Sequence, residues 1–425
     1  MLKILIISFL GLMILGCPIA MAMGLSSFAA LFFSGSTVPL TVVPQRMFVT
    51  IDSFSMMAIP LFIFAGELMN SAGITKRIVD FCNALVGHIR GGLAHVNILA
   101  SMFFAGISGA AAADSASIGS MLIPAMIEDG YDADFSVAVT ATSSTIGPII
   151  PPSIMMIIYG SMAGLSIGSL FMGGIIPGIL IGFALMAVAY VISVKRNYKK
   201  EAKKSLKEIW VAFYRSLPAL IMPLIVMGGI LSGVFTTTEA GCIACIYAII
   251  AGFCMKELTV KTVFRAVISA SITTASTMFV LSSAQALGWI LARAQFPQMV
   301  VGGLLNVSSN PTVIFLLIIA FLFVLGFFMD GTAAMIILIP VFLPIVAQYG
   351  WSPIQFADCV VMILLVGAVT PPVGVLLFIC CGIAKISITQ VSKAVWPFVF
   401  AEVGIIILCV FIPQLITWIP SLVYG

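Results

Sequence analysis

Charge is what this chain has least of. Lysine, arginine, aspartate and glutamate make up 8% of its 425 residues, against 62% hydrophobic residues and a mean hydropathy of +1.24. No water-soluble core needs that much apolar surface, so the composition excludes a soluble globular protein and points to a polytopic membrane protein. Nearly all of the chain is membrane-embedded, which leaves no room for a soluble catalytic domain. The net charge of +4 sits in loops, with no basic stripe of the kind phosphate backbones need, so nucleic acid is excluded as a partner. No glycine is followed by lysine, which removes the phosphate-binding loop and direct drive by ATP. Histidine is nearly absent: only His88 and His95 occur, and they read as interfacial or packed side chains rather than a metal site.

Nine cysteines are scattered through apolar segments. Cys242 and Cys245 form a CxxC inside an apolar helix with no histidine near, so they read as small buried hydrophobes, not a redox pair or zinc site. The start, MLKILIISFLGLMILGC, resembles a lipoprotein signal ending at Cys17. The apolar run continues to Phe33 and a polytopic chain follows, which argues against cleavage.

What the chain does have is a pair of interrupted segments. Residues 103–152 read FFAGISGAAAADSASIGSMLIPAMIEDGYDADFSVAVTATSSTIGPIIPP, with Asp114 inside a run of tiny residues and a helix-breaking GPIIPP at the end. A second copy reads GFFMDGTAAMIILIP over residues 326–340 and GAVTPP over 367–372. Asp114 to Pro124 and Asp330 to Pro340 are both ten residues; Gly147 to Pro151 and Gly367 to Pro371 are both four. Pro152 to Pro177 and Pro372 to Pro397 are both twenty-five, and only the piece between differs, twenty-three residues from Pro124 to Gly147 against twenty-seven from Pro340 to Gly367. An insertion near residues 349–353 absorbs that difference. Paired interrupted hydrophobic segments in an internal repeat point to a transporter's binding site.

Spans are expected at about 4–23 (the apolar run extending to 33), 54–72, 170–194, 216–235, 241–255, 266–292 and 394–418. Residues 37–53 form a loop or surface helix, 74–92 an amphipathic interfacial helix and 296–310 a second interfacial piece. Residues 93–108 make about 24 Å of helix, short of a ~30 Å hydrocarbon core, so they begin a re-entrant hairpin rather than a full span. A second hairpin covers 312–346, and broken helices cover 135–160 and 355–382. Residues 195–208 hold seven Lys or Arg against two Glu and are placed in the cytoplasm. Seventeen of nineteen Lys/Arg then lie inside, with only Arg46 and Arg293 outside. On this topology the N-terminus is cytoplasmic and the C-terminus periplasmic. The loop at 163–170 is external while its counterpart, bearing Lys385 and Lys393, is internal, so the two repeats are inverted.

Backbone in lipid satisfies its own hydrogen bonds, so a break such as GPIIPP survives only where protein or water surrounds it. Prolines 148, 151 and 152 remove amide donors and free carbonyls around residues 143–147. With the hydroxyls of Thr142, Ser143, Ser144 and Thr145, these offer oxygen ligands to a small hard cation. The second break offers Gly367, Ala368, Val369 and Thr370, and the tips at 108–115 and 326–332 supply the facing halves. A single Pro-Pro is a structural kink. Two at matched positions, each paired with an acid-bearing tip, point to a site, and intramembrane carboxylates are costly and usually functional. Asp114 and Asp330 therefore rank above Glu67, Glu239, Asp358 and Glu402, which lie nearer helix ends or lack a repeat mate; snorkelling or capping suffices for those four. No Lys or Arg falls at mid-membrane, so an anionic substrate would be held by helix N-termini and bound cations, which couples the two. The GxxxG-type pairs Gly160/Gly164, Gly178/Gly182 and Gly229/Gly233 serve close helix packing.

FFAGISGAAAADSASIGSMLIPAM, TSSTIGPIIPPSIMMIIYG and IPLFIFAGELMNSAGI resemble the large membrane subunit of TRAP (tripartite ATP-independent periplasmic) transporters, and the resemblance covers the whole chain. It implies an all-α integral membrane protein with the inverted-repeat, elevator-type fold, two re-entrant hairpins and two broken transmembrane helices. The transport domain would comprise 93–160 and 312–382, with 161–311 mainly scaffold and arm helices and 383–425 the last span. The resemblance further implies sodium-coupled uptake of an organic acid across a bacterial inner membrane, with Na⁺ as coupling ion and no other cofactor. Partners would be a small four-helix membrane subunit, a periplasmic binding protein that delivers the substrate, and membrane lipid. Many family members fuse the small subunit; this chain's length implies a separate polypeptide. By motif, sodium ligands would come from Ser108, Gly109, Ser143, Gly147 and Pro151 in one site, and from Gly331, Thr332, Gly367 and Thr370 in the other. Asp114, Ser115, Ser144, Thr145, Asp330 and Thr332 would face the substrate between them. Residues 110–113 are alanines where many relatives carry another hydroxyl. Overall similarity leans to the sialic acid (N-acetylneuraminate) branch, with a C4-dicarboxylate as the alternative. Rival readings are a passive channel or facilitator, a proton-coupled carrier, and an intramembrane aspartyl enzyme, the last requiring Asp114 and Asp330 to share a proton.

Overall fold

The computed structural model describes residues 1–425 except 36, 201, 309, 328 and 425, and omits the side chains of 297, 301, 304–307 and 424. The structure is helical throughout, with no strand among the described residues. Seven of the described helices are long and apolar enough to cross a membrane. The expected hairpins and broken helices are built largely from the pieces that are too short: Gly92–Ser108, Ile154–Ala163, Pro311–Gly326, Pro353–Gly367 and Val375–Ala384. Apolar helices of ten to seventeen residues reach only about 15–26 Å, less than a ~30 Å hydrocarbon core.

The chain order repeats one unit. A helix (Gly92–Ser108) turns at Gly109 into Ala111–Glu128, and Ala133–Ser143 then runs through a 3-10 turn, Ser144–Ile146, into a break before Ile154–Ala163. In the second copy Pro311–Gly326 turns into Gly331–Tyr349, and Pro353–Gly367 breaks before Val375–Ala384. Both breaks contain a cis proline bond, Pro151–Pro152 and Pro371–Pro372. Each unit is followed by a long helix, Ile167–Lys195 or Ile388–Phe411, and these two pack on each other and on the broken helices. The other long elements form a second group: Ala58–Ser71 lies against Thr237–Cys254 and Val260–Arg293, and Ile19–Phe33 lies against Leu2–Ile14 and Val260–Arg293.

Three expected spans are divided or extended. The first is two helices, Leu2–Ile14 and Ile19–Phe33, separated at Gly16 (φ +78°) and Pro18 and packed on each other. Proline lacks the amide that would continue the first helix. The last is likewise two, Ile388–Phe411 and Gln414–Tyr424, parted at Pro413; the terminal piece folds onto Ile167–Lys195 and Pro353–Gly367. The span placed at 216–235 begins at Leu206, because Ser205 and Glu208 close a capping box around the first amides. The expected interfacial segment is the helix Ile74–Val86, with Lys76 and Asp80 outward. Its apolar face (Ile74, Ile78, Val79, Cys82) is buried by packing on Gly92–Ser108 and Leu206–Leu231.

Outside the apolar bundle, Arg196 joins two loops. Its guanidinium reaches Asp132 and Asp134 at 2.8 Å each, and Tyr198 donates its hydroxyl to Asp132 at 2.6 Å. The Tyr198 hydroxyl first, and Arg196 second, hold the Asp132 carboxyl below the usual aspartate range. Burial and the Asp132 hydrogen bond push Tyr198 up to about 12. The Tyr198 ring lies 4.4 Å from Tyr131 and 5.2 Å from Phe135, so charge and aromatic packing together pin the turn between first hairpin and first broken helix. Elsewhere, all nine cysteines are free; Cys245 is buried and donates to the Leu61 carbonyl, but Cys242, expected to be buried with it, is exposed on the outer side of the same helix. His95 is buried beside Tyr190. Gly178 and Gly182 sit where a methyl would strike Ile150 and Met102, the close packing expected of them, whereas Gly164 and Gly233 have open space around them and serve turns at φ +67° and +70° instead.

Candidate functional site

Both tips and both breaks open onto one chamber of about 170 Å³. The first tip contributes Gly109 and Ala110–Ala112, the second Asp330, Gly331 and Thr332. Pro148, Ile154 and Met155 come from the first break, and Leu365, Ala368, Val375 and Leu376 from around the second. The chamber therefore lies where two helix N-termini, at Ala111 and Gly331, meet from different copies of the repeat. A smaller space of about 80 Å³ adjoins it, sharing Ile63, Ala110, Ile154 and Thr273 and adding Glu67, Asn70 and Ser117. Among the described residues no Lys or Arg lines either space.

Gly109 sets the first tip. Its φ is +60°, and a Cβ there would lie 2.6 Å from the Pro152 carbonyl oxygen, so both conformation and close approach require glycine. The Gly109 carbonyl accepts from the Ile154 amide at 3.4 Å, tying the tip to the restart of the broken helix. One turn further, Asp114 is fully buried. Its Oδ1 accepts from the Ser108 hydroxyl, while Oδ2 has no hydrogen-bond partner and is aimed at Gly147, where a Cβ would collide with it. A carboxylate removed from water with one oxygen free is a costly arrangement unless a cation or a proton neutralises it. Ser108, Asp114 and the adjacent backbone of tip and break form an all-oxygen donor set of the kind a hard cation takes.

Behind this, Ser115 and Ser144 join hydroxyl to hydroxyl at 2.6 Å across tip and break, and Ser144 donates to the Ala141 carbonyl. Ser143 points the other way, donating to Asn97 and accepting from Ser101, both at 3.1 Å. Thr145 also turns from the chamber, 2.6 Å from Glu402 Oε1. Pro151 packs near Gly106. Of the carbonyls expected to be free, those of Ser144 and Ile146 accept from Gly147, Ile149 and Ile150 in the turn.

The second copy preserves the contact but not the chemistry. Gly331 meets Leu364 where the first copy sets Ser115 on Ser144, and Gly326 packs directly on Gly367. Asp330 is exposed and is the N-cap of Gly331–Tyr349, its Oδ1 accepting from the amides of Thr332 and Ala333 at 3.0 and 3.1 Å. The helix of the first tip begins three residues before Asp114, that of the second one residue after Asp330, so the matched acids occupy different turns. Thr370 donates back to the Val366 carbonyl at 2.7 Å. Position 328 of the second tip lies outside the described residues. No hydrogen bond joins Asp114 to Asp330 among the described residues, and each carboxyl is engaged within its own tip.

Two acids ranked low in the sequence are as deeply buried as Asp114. Asp358 stands mid-helix with neither oxygen bonded, facing Gly173, and Glu402 stands mid-helix against Thr145. Neither snorkels or caps, so that expectation is corrected: both helices are covered by protein along their middle turns, which hydropathy does not register. Glu239 does cap, closing a box with Thr236. The chamber also has walls that sequence reasoning did not supply: Ile63, and Thr273 and Thr277 from Val260–Arg293. The available signal was the hydroxyl-rich run SITTAST in the middle of a span. Serine and threonine commonly bond back to their own helix, so the run does not stand out.

Interrupted helices closing on a small chamber inside an apolar bundle define a membrane permease. The sequence model of the family described as Tripartite ATP-independent periplasmic transporter, DctM component, matches residues 6–415. The chain is 38% identical to the 2,3-diketo-L-gulonate TRAP transporter large permease protein YiaN of Escherichia coli, over 96% of each chain. It is 36% identical to the sialic acid TRAP transporter large permease protein SiaM of Vibrio cholerae, over 99% of this chain and 98% of that one. Against the isethionate TRAP transporter permease protein DctMQ of Oleidesulfovibrio alaskensis the identity is 40% over 95% of this chain, which spans 64% of that relative. In fold it is similar to the YdaH transporter of Alcanivorax borkumensis, with a TM-score of 0.66 over 91% of this chain and 90% of that one, at 13% identity. The chain belongs to the DctM family of TRAP transporter permeases, which are multi-pass proteins of the bacterial inner membrane and transporters rather than enzymes.

Proposed function

We propose that this chain carries an organic acid inward, driven by sodium, through the chamber between the two tips. The observation that carries the reading is Asp114: buried, one oxygen on Ser108, the other unpartnered and turned to the Gly147 break. A cation bound there neutralises the carboxylate and removes the negative potential that would repel an acid from the chamber. The N-terminus at Ala111, which carries no side-chain cap, adds partial positive charge, while the one at Gly331 is capped by Asp330, whose charge the second cation would offset. The acid is then held without lysine or arginine, and its binding strengthens the cation's, which is coupling in the thermodynamic sense.

On this reading Ser108, Gly109, Asp114 and Gly147 make the first sodium site, and Gly331, Thr332, Gly367 and Thr370 the second. The tips are re-entrant, the two repeats are inverted in the membrane, and residues 93–160 and 312–382 move together as the transport unit. The N-terminus is cytoplasmic and the C-terminus periplasmic. A small membrane subunit and a periplasmic binding protein complete the system, and the latter does much of the substrate selection. Relatives are named for sialic acid, 2,3-diketo-L-gulonate, isethionate and C4-dicarboxylates, so sialic acid is the first substrate to try and succinate the second.

Reconstitution with the small subunit in liposomes, with labelled acid delivered by the cognate binding protein, tests this directly. Uptake should follow an imposed inward sodium gradient and stop without it. Uptake driven by a proton gradient in the absence of sodium removes the coupling ion; uptake indifferent to both turns the carrier into a facilitator.

A further inference from the structure

Among the described residues, four polar side chains line the main chamber: Asp330 and Thr332 from the second tip, Thr273 and Thr277 from the long helix Val260–Arg293. The remaining lining is apolar side chains and glycine, with Ala110 to Ala112 among it. Thr273 and Thr277 are four residues apart and so share one helix face. A threonine hydroxyl has a single hydrogen to donate and two lone pairs to accept with. Thr273 spends its hydrogen on the Ser269 carbonyl at 3.1 Å, and Thr277 on the Thr273 carbonyl at 3.0 Å. Each hydroxyl is therefore left with acceptor capacity alone to offer a ligand.

A carboxylate cannot donate to those oxygens; a hydroxyl or an amide N–H can. Resting on the reading of this chamber as the substrate site, we propose that Thr273 and Thr277 determine specificity by accepting hydrogen bonds from hydroxyl or amide groups of the substrate. The carried acid is then a hydroxylated or amidated one rather than a bare mono- or dicarboxylate. The adjoining space agrees. Thr273 stands in the wall of both, and beyond it come Glu67 and Asn70, surroundings that suit further hydroxyls and oppose a second carboxylate. The tips hold the acid group and the long helix reads the rest.

The test is equilibrium binding to the chain with its small subunit in lipid nanodiscs, in sodium buffer. Two hydroxylated probes, N-acetylneuraminate and gluconate, are compared with two bare acids, hexanoate and succinate. At least one hydroxylated probe should bind more tightly than both bare acids. Thr273→Val with Thr277→Val keeps the shape and removes both acceptors, and should weaken the hydroxylated probes about tenfold or more. Thr273→Ser with Thr277→Ser should restore them. Thermal stabilisation by sodium alone reports folding and the cation sites in each variant. Bare acids binding as tightly as hydroxylated ones, binding of none of the four, or a valine pair that binds like the parent overturns the proposal. Loss of sodium dependence for every acid would instead sink the sodium-coupled reading, leaving the comparison between acids to stand.

Discussion

Replacing Asp114 by asparagine removes a charge while keeping shape and an acceptor for Ser108. The carboxyl is fully buried and its Oδ2 has no donor, so no protein group competes with a cation for it. A unit charge pair at ~4 Å with an effective dielectric of ~20 is worth about 4 kcal/mol. The empty site already bears the cost of a buried, half-solvated carboxylate, and asparagine removes that cost; taking it as roughly half the attraction leaves a net loss of about 2 kcal/mol. That corresponds to about a thirtyfold rise in the sodium concentration for half-maximal uptake. The assay is uptake into proteoliposomes across a series of external sodium concentrations, with thermal stability in sodium and in choline as a control for folding. Asp114→Asn should melt above the parent in choline, because the buried charge is gone, and gain less from sodium. If its half-maximal sodium concentration and its stabilisation by sodium match the parent's, Asp114 is not a cation ligand and the first site has to be sought elsewhere.

Gly147→Ala places a methyl on Asp114 Oδ2 and 3.2 Å from the Ser144 carbonyl, so it should also raise the sodium requirement, by displacing the ligand rather than neutralising it; a normal sodium curve would show that the break yields freely. Asp330→Ala loses the cap on Gly331–Tyr349 and should cost about 1 kcal/mol of stability, whereas Asp330→Asn keeps the cap and isolates any effect of charge; equal melting of the two variants would contradict the capping role. Asp358→Asn should leave melting within about 1 kcal/mol of the parent, because the carboxyl has no hydrogen-bond partner to lose, and a larger drop would reveal one. Arg196→Ala should narrow the difference in melting temperature between pH 7 and pH 3: the Asp132 carboxyl is held low when folded, so its contribution is present above the unfolded aspartate value of about 4 and lost as pH falls through the lower folded value. An unchanged pH dependence in that variant would mean that the pair, which is largely exposed, contributes nothing measurable.

Much of the architecture was legible because lipid imposes strict rules on backbone. A proline pair in an apolar run has to end a helix, and the chain does break after Ile146 and after Gly367. Matched spacing then located both tips within a residue or two. Reading failed where a proline was absorbed into an expected continuous span, at Pro18 and Pro413. It also failed where covering by other helices decides the matter, as at Asp358 and Glu402. The paired acids were half right. Equal spacing to Pro124 and Pro340 suggested equal roles, yet the second tip's helix starts four residues later relative to its acid, turning Asp330 into a cap.

By itself, the sequence determined that this chain lives in a membrane, that its middle turns are interrupted twice in the same manner, and which family it resembles. These follow from composition and spacing, properties a linear string carries. Tertiary structure alone decided which oxygens meet. Ser108 and Gly147 flank Asp114, Thr145 turns away to Glu402, and two threonines of a distant helix close the chamber. A side chain's partner depends on the rotation of its helix and on what packs there. Neither is written in the residues nearest to it along the chain.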